Sequence, residues 1–162
     1  MIATIDFEAS ALDGFPIEVG VAIYDHGRRF ISVWSSLIRP PRAWLRTMDW
    51  DPGAENLHSI TQADLQTAPT AFDVARQLNG LLSPLGVAYC DGIPFDERWL
   101  RVLMEECPDA CGFRLGNLLD FARRLNLPLS ASFDQDERRI AHRAAADAEQ
   151  LLRHGLELAF HA

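Results

Sequence analysis

The sequence predicts an α/β fold, and two patterns carry that expectation. Three apolar runs at strand length, Ile2–Ile5, Ile17–Tyr24 and Phe30–Ile38, fill the start of the chain. Behind them come a helical pattern, a short apolar run and further helical patterns, and strands followed by alternating helix and strand are the mark of a sheet covered by helices.

Each element has its own reason. Ile2-Ala3-Thr4-Ile5 is a continuous apolar run closed by Asp6-Phe7-Glu8, as in a strand buried within a parallel or mixed sheet. The second and third strands are joined by the turn Asp25-His26-Gly27-Arg28. From Arg39 to about Pro69 the chain is rich in Pro, Trp and Asp and keeps no sustained period, so it is expected to wrap an edge, with Ser59-Ile60-Thr61 opening a short helix. Thr70 to Leu82 repeats apolar residues at helical spacing and is stopped by Ser83-Pro84. Gly86 to Cys90 is a short strand, Phe95 to Glu106 a helix ended by Pro108, Gly116 to Leu125 another helix, and Ala144 to Ala159 a final Ala- and Leu-rich helix.

With 162 residues, 48% of them apolar and 23% charged, one well-filled core is expected, a single domain over 1–162. No apolar stretch reaches the roughly 20 residues of a membrane span, and the N-terminus lacks a basic region ahead of an apolar one, so the expectation is no membrane and a cytoplasmic address. Cys90, Cys107 and Cys111 are odd in number and form no CxxC pair, which argues against a disulfide framework or a zinc site. The net charge of −8 is unfavourable for a polyanion, but four of the acids are candidate metal ligands whose charge two divalent cations would offset. All fifteen basic residues are arginine, whose planar fork suits bidentate phosphate contact.

Asp6 and Glu8 stand two apart in a strand and so share a face. Two acids there repel each other unless a cation lies between them, and hard divalent ions favour carboxylate oxygen. Asp96 follows the fourth strand at the start of a helix, bringing a third carboxylate near a strand's C-terminal end. His142 and Asp147 are five residues apart, about 140° around an α-helix. They therefore meet at one site only if His142 lies in the approach loop and the helix begins at about Arg143 to Ala145. Four carboxylates suit two Mg²⁺ or Mn²⁺ ions, and a neutral histidine suits proton removal from a water nucleophile, which together point to phosphodiester hydrolysis.

Asp6-Phe7-Glu8, Phe95-Asp96 and His142-Arg-Ala-Ala-Ala-Asp147 resemble, in order, the three exonuclease motifs of the DEDDh group, the DnaQ-like exonucleases. The resemblance runs from Ile2 to about Leu152. It implies an RNase H-like fold, a five-stranded mixed sheet flanked by α-helices, and removal of single nucleotides from 3′ to 5′. Asp6, Glu8, Asp96 and Asp147 would be the metal ligands and His142 the general base. Leu57-His58-Ser59-Ile60-Thr61 is similar to the family's His-Gly-Ile-Thr segment, and Pro16-Ile17-Glu18-Val19-Gly20 to its second strand. Ser10, Leu12 and His58 are the matching candidates for substrate contact, with Leu12 as an apolar wedge under the terminal base. The chain departs from the family at Asp91 and Gly92, where His-Asn is common, at Ser59 in place of glycine, and at Ala9 and Ala11.

Arg138, Arg139 and Arg143 flank His142 and are candidate guides for phosphates, with a solvated loop as the equal alternative; Asp134, Asp136 and Glu137 dilute their field. Trp44 and Trp50, set among arginines and prolines, suit packing on the sheet edge better than a base-stacking platform. Asp91 beside Gly92 reads as a turn residue, or as one that tunes Asp96. The expected partner is the 3′ end of single-stranded DNA or RNA. The resemblance adds a homodimer or a subunit of a polymerase or repair complex. Two rivals accompany this reading: an oligoribonuclease-like or RNase T-like enzyme specific for RNA, and a non-catalytic binding module on the same fold.

Overall fold

A computed structural model of the chain describes residues 1–128 and 142–161. Its sheet has five strands, β1 (Ile2–Ala9), β2 (Pro16–Asp25), β3 (Phe30–Leu37), β4 (Val87–Tyr89) and β5 (Arg114–Gly116), in the order β3-β2-β1-β4-β5. β1 with β2 and β2 with β3 are antiparallel, whereas β1 with β4 and β4 with β5 are parallel, so the sheet is mixed as expected.

Alternation along β1 and β2 divides the core. Ala3, Ile5, Phe7, Ile17, Val19 and Val21 lie in a core that also holds Val74, Leu78 and Leu82 of α4 (Ala71–Leu82) and Leu100 and Leu103 of α5 (Phe95–Met104). Ile2, Ala22 and Tyr24 belong to a second cluster with Phe121 of α6 (Leu118–Arg124) and Ala148, Leu151 and Leu152 of α7 (Ala144–His161). α4 begins where the Thr70 hydroxyl accepts the Asp73 N–H, and its apolar stripe then buries Val74, Ala75, Leu78 and Leu82. No helix among the described residues is long and apolar enough to cross a membrane.

Two regions differ from the sequence reading. The stretch from Arg39 to Pro69 holds three short helices, of which α3 (Gln62–Leu65), opened by Thr61, is the one expected there, and α1 (Arg42–Thr47) and α2 (Pro52–His58) are additional. They are set by local chemistry and not by amphipathic period: Asp51 accepts the Gly53 N–H with Pro52 in the first turn, and Thr61 and Asp64 form a reciprocal capping box. Gly116 ends β5 instead of opening a helix; Asn117 caps α6 through the Asp120 N–H. A Cβ at Gly116 would come within 2.7 Å of the Tyr89 ring across the sheet, so the strand pairing needs a glycine there.

Candidate active site

The even positions of β1 carry the site. Thr4, Asp6 and Glu8 face the layer that contains α7, and the Thr4 hydroxyl donates to the Ala148 carbonyl at 2.6 Å. Across the antiparallel pair Asp6 stands opposite Gly20 and Glu8 opposite Glu18. A Cβ at Gly20 would lie 2.1 Å from the Ala144 carbonyl carbon, so the absence of a side chain lets the first turn of α7 rest on β2.

α7 starts at Ala144, within the range expected from the His142–Asp147 spacing. His142 precedes the helix, its N–H donating to the Leu57 carbonyl at 3.3 Å, and Asp147 projects from the first turn with its N–H on the Arg143 carbonyl at 3.0 Å. His142 Nδ1 is 3.7 Å from Asp147 Oδ2, and ligand atoms of Glu8, His142 and Asp147 all lie within 4.8 Å of one another.

Asp96 enters from the other side, in the first turn of α5, and is 2% exposed. Burial pushes its carboxyl up to about 6; the Cys90 thiol and the Gly92 N–H, donating at 3.2 Å, oppose the rise, and the Asp91 charge adds to it. Gly92 matters here because a Cβ would come within 2.7 Å of Asp96 Oδ2. Burial also drives the Cys90 thiol far up, with the charge of Asp96 adding. Asp6, two residues before Glu8 on β1, senses the other acids. Its carboxyl is raised well above the ordinary range by burial first, and then by Asp96, Glu8, Asp147 and Asp91 in turn. Glu8 and Asp147, from the two ends of the chain, thus meet with one imidazole, His142, and the charges of Asp96 and Asp91 from its middle reach Asp6. That set fits hard divalent cations.

A cleft of about 510 Å³ opens beside Glu8 and His142, walled by Leu12, Leu57, His58 and Trp99 among others. Leu12 is 63% exposed at this cleft, which suits an apolar contact with a ligand. His58 also lines it but is buried, its Nδ1 accepting the Ile60 N–H at 3.0 Å, and burial lowers its pKa. The Leu12 loop is tied to α5 by Arg98, which donates to the Asp13 carboxylate and, at 2.9 Å, to the Asp13 carbonyl.

Two sequence expectations, Ser10 and Arg143, are corrected, and the packing expected of Trp44 and Trp50 is found. Ser10 is fully buried; its hydroxyl donates to the Asp49 carbonyl at 2.7 Å and accepts the Phe15 N–H at 3.0 Å, so it braces the loop after β1 and does not face a ligand. The Arg143 guanidinium is taken by Glu18 through Nε at 3.0 Å and Nη2 at 2.6 Å, which removes its fork from phosphate guidance. Of the indoles, Trp44 is buried with its ring centre 5.8 Å from that of Phe15, and Trp50 donates to Glu55 at 2.8 Å, so both pack and neither forms a stacking platform. Arg138 and Arg139 lie outside the described residues. Sequence reasoning missed Glu18, Cys90 and Arg98 as neighbours of the site. For Glu18 a signal was present, a single acid inside the apolar run of β2.

No family model matches the chain, and no curated protein sequence does. Solved structures do resemble it. Exonuclease X in complex with 5′-overhanging duplex DNA superposes with a TM-score of 0.58 at 21% identity, over 98% of this chain and 89% of that one. A full-length 3′-exonuclease gives 0.68 at 18% identity, and this chain covers 60% of its length. Exonuclease I of E. coli, in complex with an oligonucleotide, gives 0.64 at 14% identity over 96% of this chain and 40% of that one. The mixed five-stranded sheet and its flanking helices are therefore the RNase H-like fold found in exonucleases of the DnaQ-like type.

Proposed function

We propose that the protein is a metal-dependent exonuclease that hydrolyses phosphodiester bonds at the 3′ end of single-stranded nucleic acid. The observation that supports this reading is the cluster of Glu8, His142 and Asp147, whose ligand atoms lie within 4.8 Å of one another, with Asp6 and Asp96 near enough for the charges of the acids to act on Asp6. The exonuclease identity of the structural neighbours supports it, as does the nucleic acid bound in two of them.

Asp6, Glu8, Asp96 and Asp147 would hold two Mg²⁺ or Mn²⁺ ions, whose chemistry is to offset the charge of the reacting phosphate and make a water acidic. The rest is done by the chain. His142 turns Nδ1 towards Asp147, leaving Nε2 to accept a proton from the attacking water, and its side chain is 39% exposed, so water has access. A bond forms from water oxygen to phosphorus as the P–O3′ bond breaks; the terminal nucleotide leaves with its 5′-phosphate and the shortened strand keeps a 3′-hydroxyl. The cleft beside His142 seats the terminal nucleoside, with Leu12, Leu57 and Trp99 as its apolar walls.

The test is a gel time course on 5′-labelled single-stranded DNA and RNA of one sequence with Mn²⁺, run beside an Asp6→Ala/Glu8→Ala variant. A ladder shortening from the 3′ end in the wild type alone is expected, and the faster ladder names the substrate. Internal cuts, equal cleavage by the variant, or no cleavage of either strand by folded, metal-loaded protein would overturn the proposal.

A further inference from the structure

β2 buries a fifth carboxylate next to the four. Glu18 is 2% exposed and directly opposite Glu8 in the β1–β2 register, on the face turned to the start of α7 and away from the core that takes Ile17 and Val19. Its charge is met on every side. Arg143 donates through Nε and Nη2 at 3.0 and 2.6 Å, and the Ala144 N–H at the start of α7 donates at 3.1 Å. The guanidinium is also held in its charged form, by the Glu18 hydrogen bond first and by the charges of Glu18, Glu8 and Asp64, against partial burial. An ion pair that buries Glu18 and leaves Arg143 half-exposed is a poor device for stability, since a buried charge is costly to desolvate and a solvated partner returns little. Its value lies in fixing a geometry.

The geometry it fixes is that of the hydrolytic site. Arg143 and Ala144 are the first two of the four residues between His142 and Asp147, and one carboxylate holds both. His142 is therefore anchored on each side, by its own N–H on the Leu57 carbonyl and by Glu18 on the residue that follows. Asp147 is built on the same anchor, because its N–H is bonded to the Arg143 carbonyl. Since Glu18 and Glu8 are cross-strand partners, the path from Glu8 to His142 crosses one strand spacing, about 5 Å of hydrogen-bonded sheet, and one ion pair.

We propose that Glu18 and Arg143 together are positioning residues that set His142 and Asp147 against Glu8. This rests on the exonuclease reading. The pair touches no substrate and acts through the entry to α7.

The experiment compares wild type, Glu18→Gln, Arg143→Lys and the charge-free double variant Glu18→Gln/Arg143→Met as full chains. It measures kcat and KM on single-stranded oligonucleotide with Mn²⁺, the Mn²⁺ dissociation constant by calorimetry, and amide exchange in the first turn of α7, all well below each melting temperature. Glu18→Gln is expected to lose about tenfold or more in kcat while KM and the Mn²⁺ constant stay within about threefold. The Ala144 and Asp147 amides should exchange faster while those of α4 are unchanged. Arg143→Lys should fall below wild type but keep more of the rate than Glu18→Gln, because an ammonium bonds the carboxylate without the fork. The double variant should be no slower than Glu18→Gln, as for two residues acting as one unit. It leaves no unpaired buried charge, so it carries the test if Glu18→Gln does not fold. Unchanged kcat in the folded variants, or a loss confined to KM or Mn²⁺ affinity, would overturn the inference. An inactive wild type would instead sink the exonuclease reading.

Discussion

Replacing Asp96 by asparagine is expected to make the metal-free protein more stable as the pH rises towards neutrality, relative to wild type. Asp96 titrates near 3.8 when exposed and about 6 in the fold, with burial as the main cause. Between those values the folded chain keeps a proton that the unfolded chain has released, so stability is lost as the pH rises through the window. The full loss above pH 6 is about 3 kcal/mol for this one group. About 1 kcal/mol of it is already gone at pH 4.5, leaving about 2 kcal/mol between pH 4.5 and 7.5. Asparagine does not ionise and retains a carbonyl for the Gly92 N–H. It also removes the charge that contributes most, after burial, to the raised pKa of Asp6, which acts in the same direction. The assay is urea unfolding in EDTA at pH 4.5, 6.0 and 7.5, read as the stability of the variant minus that of wild type, so that titrations common to both cancel. The difference should grow by about 2 kcal/mol or more in favour of the variant across that range. Saturating Mn²⁺ at one hundred times its dissociation constant should return about 2.7 kcal/mol to the wild type. A difference that is flat with pH, or that grows in favour of wild type, would refute the account of a crowded, burial-strained acid cluster.

His142→Ala should lower kcat by about 10²-fold or more and leave Mn²⁺ binding largely intact, measured by single-turnover kinetics and calorimetry. Ser10→Ala strands the Phe15 N–H and the Asp49 carbonyl in a buried site and should cost about 1–3 kcal/mol in urea unfolding, with KM unchanged well below the melting temperature. Gly20→Ala drives a methyl into the Ala144 backbone and should cost about 1–3 kcal/mol or more, with faster amide exchange in α7 before any change in α4.

Much of the fold could be read because its long elements carry their burial in sequence: β1 and β2, buried on both faces, as continuous apolar runs, and α4 as a period of 3.6. β5 has three residues and α3 four, which is too few for any period, and their existence depends on a partner strand in one case and a capping box in the other. At the site, the acids could be placed because strand alternation and helix rotation are geometric: Asp6 with Glu8, and the start of α7 from the five-residue step between His142 and Asp147. What spacing does not reveal is where a side chain finds its partner. Arg143 stands beside His142 in the chain and reads equally as a phosphate guide or a solvated loop residue; its carboxylate lies 125 residues away on β2. Ser10 failed for the same reason, since its acceptor is the carbonyl of Asp49.

The hydrogen bond from Thr4 to the Ala148 carbonyl joins residues 144 positions apart. On a ribosome adding roughly 5–20 residues per second, the strand bearing Asp6 and Glu8 is made roughly 7–30 s before the helix that covers it. Throughout that interval the nascent chain has its first two acids and lacks both the histidine and the fourth carboxylate. Under the proposed function the acid and histidine set is therefore completed only when the last helix docks.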